Sequence, residues 1–150
     1  MNIYFVCTGN TCRSPMAEAI LKNKQLPNVE VRSAGIYALE GGEISENARA
    51  VLAEENIQHN HVSKGINQQD IEWADVILTM TSAHKDMVLR FFSQAQNKTF
   101  TLKEYVTPYS GQDVFDPFGG DLNLYKQTYQ ELKRLIEELE IKYREGLPKE

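Results

Sequence analysis

The stretch that most constrains the fold of this chain is IYFVCTGNTCRSP, residues 3–15. Its first four residues are apolar, and such an uninterrupted run predicts a strand buried on both faces, as in a parallel sheet. Ser14 and Pro15 predict the start of a helix, with Ser14 as the N-cap and Pro15 at the first helical position. The seven residues from Cys7 to Arg13 therefore form a loop between a buried strand and a helix N-terminus.

This loop has the chemistry of a site for a tetrahedral oxyanion. A helix N-terminus offers unpaired N–H groups, and small loop residues such as Gly9 and Asn10 let further amides turn inward. Arg13 can then donate two parallel hydrogen bonds to the anion. The same field favours the thiolate form of Cys7, which is the nucleophilic form. The loop does not match the nucleotide-binding pattern G-x4-G-K-[ST].

A second interpretation of Cys7 and Arg13 is a buried structural cysteine followed by a surface arginine. Cysteine is among the most buried residue types, and a C-x5-R spacing also arises by chance. The preceding strand, the following helix start and the pair Gly9-Asn10, which tolerates left-handed backbone, favour the catalytic interpretation.

Composition limits the class of protein. The chain has 150 residues, of which 41% are hydrophobic, and this predicts a single domain spanning residues 1–150. Its net charge of −5 argues against a nucleic-acid or membrane partner, and no apolar run approaches the ~20 residues of a membrane span. The sequence enters a strand without a signal-like segment, and its two cysteines share one loop. We therefore expect a reducing, cytoplasmic location rather than secretion.

Strands and helices alternate along the chain, which predicts an α/β fold with a doubly wound parallel sheet. The apolar patterns predict strands at residues 3–6, 29–32, 76–78 and 99–102. Helices are predicted at residues 16–25, 45–56, 68–74, 82–92 and 121–144, with Ser45 and Asn67 as caps. Residues 58–64 and 102–118 are predicted as loops. In such sheets ligands bind beyond the carboxyl ends of the strands, and the Cys7 loop leaves one of these ends.

The last predicted helix carries apolar residues at intervals that alternate between three and four: Leu122, Tyr125, Tyr129, Leu132, Ile136, Leu139 and Tyr143. A coiled-coil seam has the same spacing. Packing along the sheet is favoured, because only about three heptads follow the pattern. Gly146 and Pro148 are expected to end this helix.

The sequence CTGNTCRSPMAE, residues 7–18, resembles the signature of the low-molecular-weight protein tyrosine phosphatase family. Asp116-Pro117 is similar to the acid loop of that family, and Ser33-Ala34-Gly35 to the end of its second strand. The resemblance covers essentially the whole chain. It implies a four-stranded parallel sheet with helices on both faces, and hydrolysis of phosphoproteins through a cysteinyl-phosphate intermediate.

The resemblance also assigns roles to residues outside the loop. Asp116 is the expected general acid, since its flanking aromatic residues would shield the carboxyl from water and favour its protonated form; without the resemblance, Asp-Pro is an ordinary turn pair. Ser33 and His61 are implied to brace the loop, whereas His59 and His84 are expected at the surface. The expected substrate-binding residues are Thr8, Gly9, Asn10, Thr11, Cys12, Ser14 and Phe118.

Within the loop, Ser14 is expected to donate its hydroxyl to the Cys7 sulfur in addition to capping the helix, and Asn10 to brace the loop through its amide. No Cys or His spacing resembles a zinc ligand set. We therefore expect neither a metal nor a cofactor.

Two departures from the tyrosine-specific pattern indicate a different substrate. Family members that act on phosphotyrosine usually carry a bulky aliphatic residue in place of Thr11 and a Tyr pair in place of Phe118-Gly119. The Thr11 hydroxyl can accept a hydrogen bond from an N–H group, and phosphoarginine carries such donors on a planar cation. The pattern resembles the protein-arginine-phosphatase branch of Gram-positive bacteria. The alternative is a tyrosine phosphatase in which Thr11 is a neutral change.

Two more distant classes are also possible. Arsenate reductases of this fold have a similar loop, but they need further cysteines to relay electrons, and this chain has only Cys7 and Cys12. A non-catalytic phosphoprotein-binding module would be expected to lose one of Cys7, Arg13 and Asp116, and all three are present. The expected partners are phosphorylated protein substrates, with inorganic phosphate as product, and the expected state is a monomer.

Overall fold

The computed structural model describes residues 1–108 and 111–146. Four strands form the central sheet: β1 (Asn2–Cys7), β2 (Glu30–Gly35), β3 (Val76–Thr79) and β4 (Thr99–Thr101). All three pairings are parallel, and the strand order is β2-β1-β3-β4. The order reverses beside β1, so the loop after Cys7 begins where ligands bind in sheets of this type.

Six α-helices surround the sheet in the described residues: α1 (Arg13–Asn23), α2 (Glu46–Glu54), α3 (Gln68–Trp73), α4 (Ser82–Phe91), α5 (Leu102–Val106) and α6 (Leu122–Glu145). A 3-10 helix (Ser93–Lys98) precedes β4. The side chains of Ser45 and Asn67 cap α2 and α3, as predicted. None of these helices combines the length and the apolar character of a membrane span. The predicted α/β architecture is confirmed.

The alternation of side chains along β1 divides the core in two. Ile3, Phe5 and Cys7 point to the larger cluster, which α1, α2 and α6 cover. Tyr4 and Val6 point to a smaller cluster, to which α3 and α4 contribute. Because β1 is buried on both faces, its sequence shows a continuous apolar run rather than an alternating one.

The start of α1 differs from the prediction. The helix begins at Arg13, its N-cap position is Cys12, and no side chain caps it. Ser14 is therefore not the N-cap. Its hydroxyl points instead toward the Cys7 sulfur, at 2.8 Å. Pro15 still lies in the first turn, where a backbone N–H is not needed.

The predicted loop at residues 102–118 is wrong at its start, where α5 forms. Thr101 and Glu104 make a capping box: the Thr101 side chain accepts from the Glu104 backbone, and the Glu104 side chain accepts from the Thr101 backbone. The sequence contains this T-x-x-E signal. The rest of the segment, as far as the structure describes it, has no regular secondary structure.

Helix α6 packs its apolar stripe against the domain core rather than against a coiled-coil partner. Its buried side chains join the larger core cluster, and the helix contacts α1, α2 and α5. Gly146 is the C-cap, as predicted. Pro148, the other expected helix terminator, lies outside the described residues.

Candidate active site

The loop that follows β1 is held close to the end of β2. The backbone oxygens of Cys7 and Thr8 accept hydrogen bonds from Ile36 and Tyr37, both at 2.9 Å. A Cβ atom at Gly35 would lie 2.6 Å from the Thr8 oxygen, so only glycine allows this approach. Asn10 has a φ of 57°, in the left-handed region that asparagine tolerates better than most residues.

A chain of buried hydrogen bonds orients the nucleophile. The Asn10 amide donates to the hydroxyls of Ser14 and Ser33, at 2.9 Å each. Because the Ser14 oxygen accepts from Asn10, its own proton can be donated to the Cys7 sulfur 2.8 Å away. Neither Asn10 nor Ser14 is accessible to solvent. Their side-chain contacts therefore support the loop from behind.

Arg13 connects this loop to the segment that carries Asp116. The guanidinium donates through Nη1 to the backbone oxygen of Val114 at 3.1 Å. Its Nη2 lies 3.4 Å from Oδ2 of Asp116. Arg13 is 4% exposed, and the Asp116 side chain is 51% exposed. The sequence-predicted nucleophile, anion-binding residue and acid thus lie together.

These three residues line one pocket of about 460 Å³. Five of the other predicted residues also line it: Thr8, Gly9, Thr11, Cys12 and Phe118. Sequence reasoning missed Tyr37 and Leu39, which line the pocket and are largely exposed. Both residues lie in the loop that follows β2, and the fold brings this loop to the pocket. No sequence motif marks them.

The environment of Asp116 differs from the expectation. Phe115 and Phe118 are 57% and 78% exposed, and half of the Asp116 side chain faces water. The flanking aromatic residues therefore do not shield this carboxyl in the free protein. Its local restraints are the contact with Arg13 and a hydrogen bond at 3.0 Å from the Phe118 backbone to Oδ1.

His84 is buried beside the loop, so its predicted surface position is wrong. It is 8% exposed, and its Nε2 lies 2.8 Å from the Thr8 hydroxyl. Burial, followed by the nearby charge of Arg13, lowers the pKa of His84 from 6.5 to about 4. His84 is therefore neutral at pH 7 and presents an uncharged ring to the loop.

We expect His84 to make the fold acid-sensitive. Its folded pKa lies below its unfolded value, so the unfolded state binds the proton more readily, and the free energy of unfolding falls as the pH drops from 6.5 toward 4. His84→Asn should lose less free energy than the wild type between pH 7.5 and 5. Urea unfolding at both pH values measures the difference, and equal losses in the two proteins would contradict the prediction.

Glu18 is a further residue that sequence reasoning did not identify. It is 7% exposed on α1 and accepts a hydrogen bond from Ser33 at 2.8 Å. Its carboxylate also lies near His59 and His61. Burial alone would raise the pKa of Glu18, but its contacts with the two histidines and Lys22 outweigh burial and hold that pKa well below its usual range.

The structure agrees with the sequence-based expectation for one of these two histidines and disagrees with it for the other. His61 donates to the backbone oxygen of Asn10 at 2.6 Å, in line with the bracing role implied by the resemblance. The side chain of His59 is only 7% exposed, so its predicted surface position is wrong.

The fold and this pocket define a phosphatase of the cysteine-dependent type. The chain belongs to the family described as low molecular weight phosphotyrosine protein phosphatase, whose sequence pattern matches residues 2–149.

Individual relatives fall into two named activities. The chain is 53% identical over 137 residues to the protein-arginine-phosphatase of Geobacillus stearothermophilus, covering 91% of this chain and 92% of that protein. It is 39% identical over 143 residues to the low molecular weight protein-tyrosine-phosphatase PtpB of Staphylococcus epidermidis. This match covers 95% of this chain and 99% of that protein. A solved structure of the YwlE arginine phosphatase, a variant with a phosphorylated serine replacing the active-site cysteine, is 46% identical. It has a TM-score of 0.94 and covers 97% of both chains.

Proposed function

We propose that this protein is a cysteine-dependent protein phosphatase that hydrolyses phosphoarginine in proteins. The observation that carries the proposal is the shared pocket of Cys7, Arg13 and Asp116. A nucleophile, a bidentate anion-binding group and an acid are the three parts that phosphoryl transfer to sulfur requires.

In the first step, the Cys7 thiolate attacks the phosphorus atom. A P–S bond forms as the P–N bond to the arginine breaks, and Asp116 donates its proton to the departing guanidine nitrogen. Arg13 donates two hydrogen bonds to the phosphoryl oxygens, which carry the developing charge. The Ser14 hydroxyl, 2.8 Å from the sulfur, stabilises the thiolate before the attack and after its release.

In the second step, water attacks the cysteinyl phosphate. The carboxylate of Asp116 accepts a proton from this water, as microscopic reversibility requires. The P–S bond breaks, inorganic phosphate leaves, and Cys7 returns to the thiolate form. The exposed half of the Asp116 side chain supports this role, because water can reach it directly.

Thr11 is the proposed specificity residue. It lines the pocket, and its backbone oxygen is fixed by a hydrogen bond from Ser45 at 2.9 Å. Its hydroxyl can accept an N–H of the substrate guanidinium. The 53% identity to a named protein-arginine-phosphatase supports this substrate. A protein tyrosine phosphatase is the second candidate, and the exposed aromatic rings of Tyr37 and Phe118 at the pocket favour it.

Replacing Thr11 by Ile tests the choice of substrate. The change removes the acceptor for a guanidinium N–H, an effect of about 1–3 kcal/mol, and adds apolar surface for a phenyl ring. We expect the ratio of kcat/KM for phosphoarginine over phosphotyrosine peptides to fall by roughly ten- to a hundredfold. The ratio is measured on both peptides in the wild type and the variant.

Thr11→Val is the matched control, because it removes the hydroxyl with almost no change in size. Val and Ile should both weaken phosphoarginine hydrolysis, and only Ile should also improve phosphotyrosine hydrolysis. An unchanged ratio in both variants would show that Thr11 does not select the substrate. A wild-type preference for phosphotyrosine would instead support the second candidate.

We further propose that residues 1–150 act as one phosphatase domain, as a monomer in the cytoplasm, and that the phosphatase reaction itself uses neither a metal nor a cofactor. The match of the family pattern to residues 2–149 supports the single domain. The net charge of −5 argues against a nucleic-acid partner. Size-exclusion chromatography with light scattering would test the monomeric state.

A further inference from the structure

Glu18, His59 and His61 form a cluster of metal-binding groups behind the active-site loop. One ligand atom from each residue lies within 4.8 Å of the other two. Oε1 of Glu18 is 3.3 Å from Nε2 of His59 and 3.7 Å from Nδ1 of His61. Tetrahedral Zn²⁺ with bonds of about 2.0–2.2 Å separates its ligand atoms by roughly 3.3–3.5 Å. The two separations that involve Glu18 are therefore close to those around such an ion.

His61 is already oriented as a ligand. Its Nε2 donates to the backbone oxygen of Asn10 at 2.6 Å, so that nitrogen carries a proton and Nδ1 is the one that could bind an ion. A histidine that binds a metal through one ring nitrogen usually donates a hydrogen bond from the other, often to a backbone carbonyl, and this bond fixes the orientation of the ring. The side chain is 4% exposed, which restricts its rotation.

The environment of His59 is a second indication that this cluster binds a metal. Its side chain is 7% exposed, yet its Nε2 makes no hydrogen bond in the described structure. The atom lies within ion-pair distance of Glu18 without forming a hydrogen bond, and buried polar atoms without a hydrogen bond are rare. The atom faces Glu18 Oε1 at 3.3 Å, on the side where an ion would bind.

We propose that Glu18, His59 and His61 bind a Zn²⁺ ion. Two imidazole nitrogens and one carboxylate oxygen are a donor set that Zn²⁺ favours. Glu18 and His61 also line a cleft of about 800 Å³, from which water can occupy the fourth position. This site is separate from the phosphatase pocket, and its test does not depend on the proposed substrate.

The site is linked to the nucleophile by a continuous chain of hydrogen bonds. Glu18 accepts from Ser33, which accepts from Asn10, and Asn10 donates also to Ser14 beside Cys7. A metal bound to Glu18 therefore restrains the residues that hold the active-site loop.

The competing interpretation is an ion-pair cluster in which protonated histidines neutralise Glu18. Lys22 already contributes a positive charge 2.9 Å from Glu18 Oε2, so one counter-ion is present without the histidines. In the ion-pair case, the protein would not bind Zn²⁺ at this cluster.

The experiment uses the full chain with Cys7→Ser and Cys12→Ser, because thiolates also bind Zn²⁺. Titration calorimetry with Zn²⁺ should show one site, and Co²⁺ should give the intense visible absorption of a four-coordinate complex. Adding His59→Phe, which keeps a ring stacked on His61, should weaken Zn²⁺ binding by at least about tenfold. Zn²⁺ should raise Tm more in the parent than in this variant.

His84→Asn in the same background is the control, since His84 is the one histidine outside the cluster, and its Zn²⁺ affinity should equal that of the parent. Circular dichroism verifies folding, and His59→Gln replaces His59→Phe if the larger ring unfolds the protein. No Zn²⁺ binding in the parent, or equal affinity after loss of His59, would overturn the proposal.

Discussion

Replacing Cys7 by Ser is expected to lower kcat/KM on phosphoprotein substrates by at least about 10⁴-fold. A serine hydroxyl is a far weaker nucleophile at neutral pH than a thiolate. The variant should still bind inorganic phosphate, because Arg13 and the loop backbone are unchanged. Steady-state assays measure the loss, and phosphate titration measures the retained affinity.

The same variant should also reveal a stalled intermediate. A YwlE arginine phosphatase with this replacement has been solved with phosphate on the serine. Incubation with substrate, followed by intact-mass measurement, should therefore detect one added phosphoryl group without steady turnover. Cys12→Ser is the matched control, since it makes the same chemical change in the same loop without removing the nucleophile. Substantial turnover by the Cys7 variant would exclude Cys7 as the nucleophile.

The Cys7 loop could be predicted because its determinants are adjacent in sequence. A continuous apolar run, a turn with Gly9 and Asn10, and Pro15 in the first helical turn each have a local physical meaning. The error at Ser14 arose from a competition that local rules do not resolve. A serine near a helix start can cap the helix or bond elsewhere, and here the bonds to Cys7 and Asn10 replace the cap.

The parts that could not be predicted depend on contacts between distant segments. His84 is buried because α4 packs beside the loop after β1, and a histidine in a helix pattern does not reveal that neighbour. Glu18 contacts histidines of the loop at 58–64, a segment without regular structure. The segment carrying Asp116 meets Arg13 through a hydrogen bond between residues 101 positions apart, so only the family resemblance indicated that pairing.

Replacing Arg13 by Lys should lower kcat/KM by about 100- to 1,000-fold, although the net charge is unchanged. Lysine provides one ammonium group, whereas arginine donates through a planar fork that matches two phosphoryl oxygens. The structure adds a second reason. The guanidinium also bonds to Val114 and lies 3.4 Å from Asp116, so the substitution loosens the segment that carries the acid.

Both kcat and KM should therefore change in Arg13→Lys, and the inhibition constant of inorganic phosphate should rise. Arg90→Lys, which makes the same change at an exposed position of α4, is the matched control and should leave all three values unaltered. If Arg13→Lys kept its phosphate affinity and lost only kcat, Arg13 would act mainly by positioning Asp116. If Arg13→Lys kept both its phosphate affinity and its kcat, Arg13 would neither bind the anion nor position Asp116. The anion would then have to be bound by the loop backbone alone.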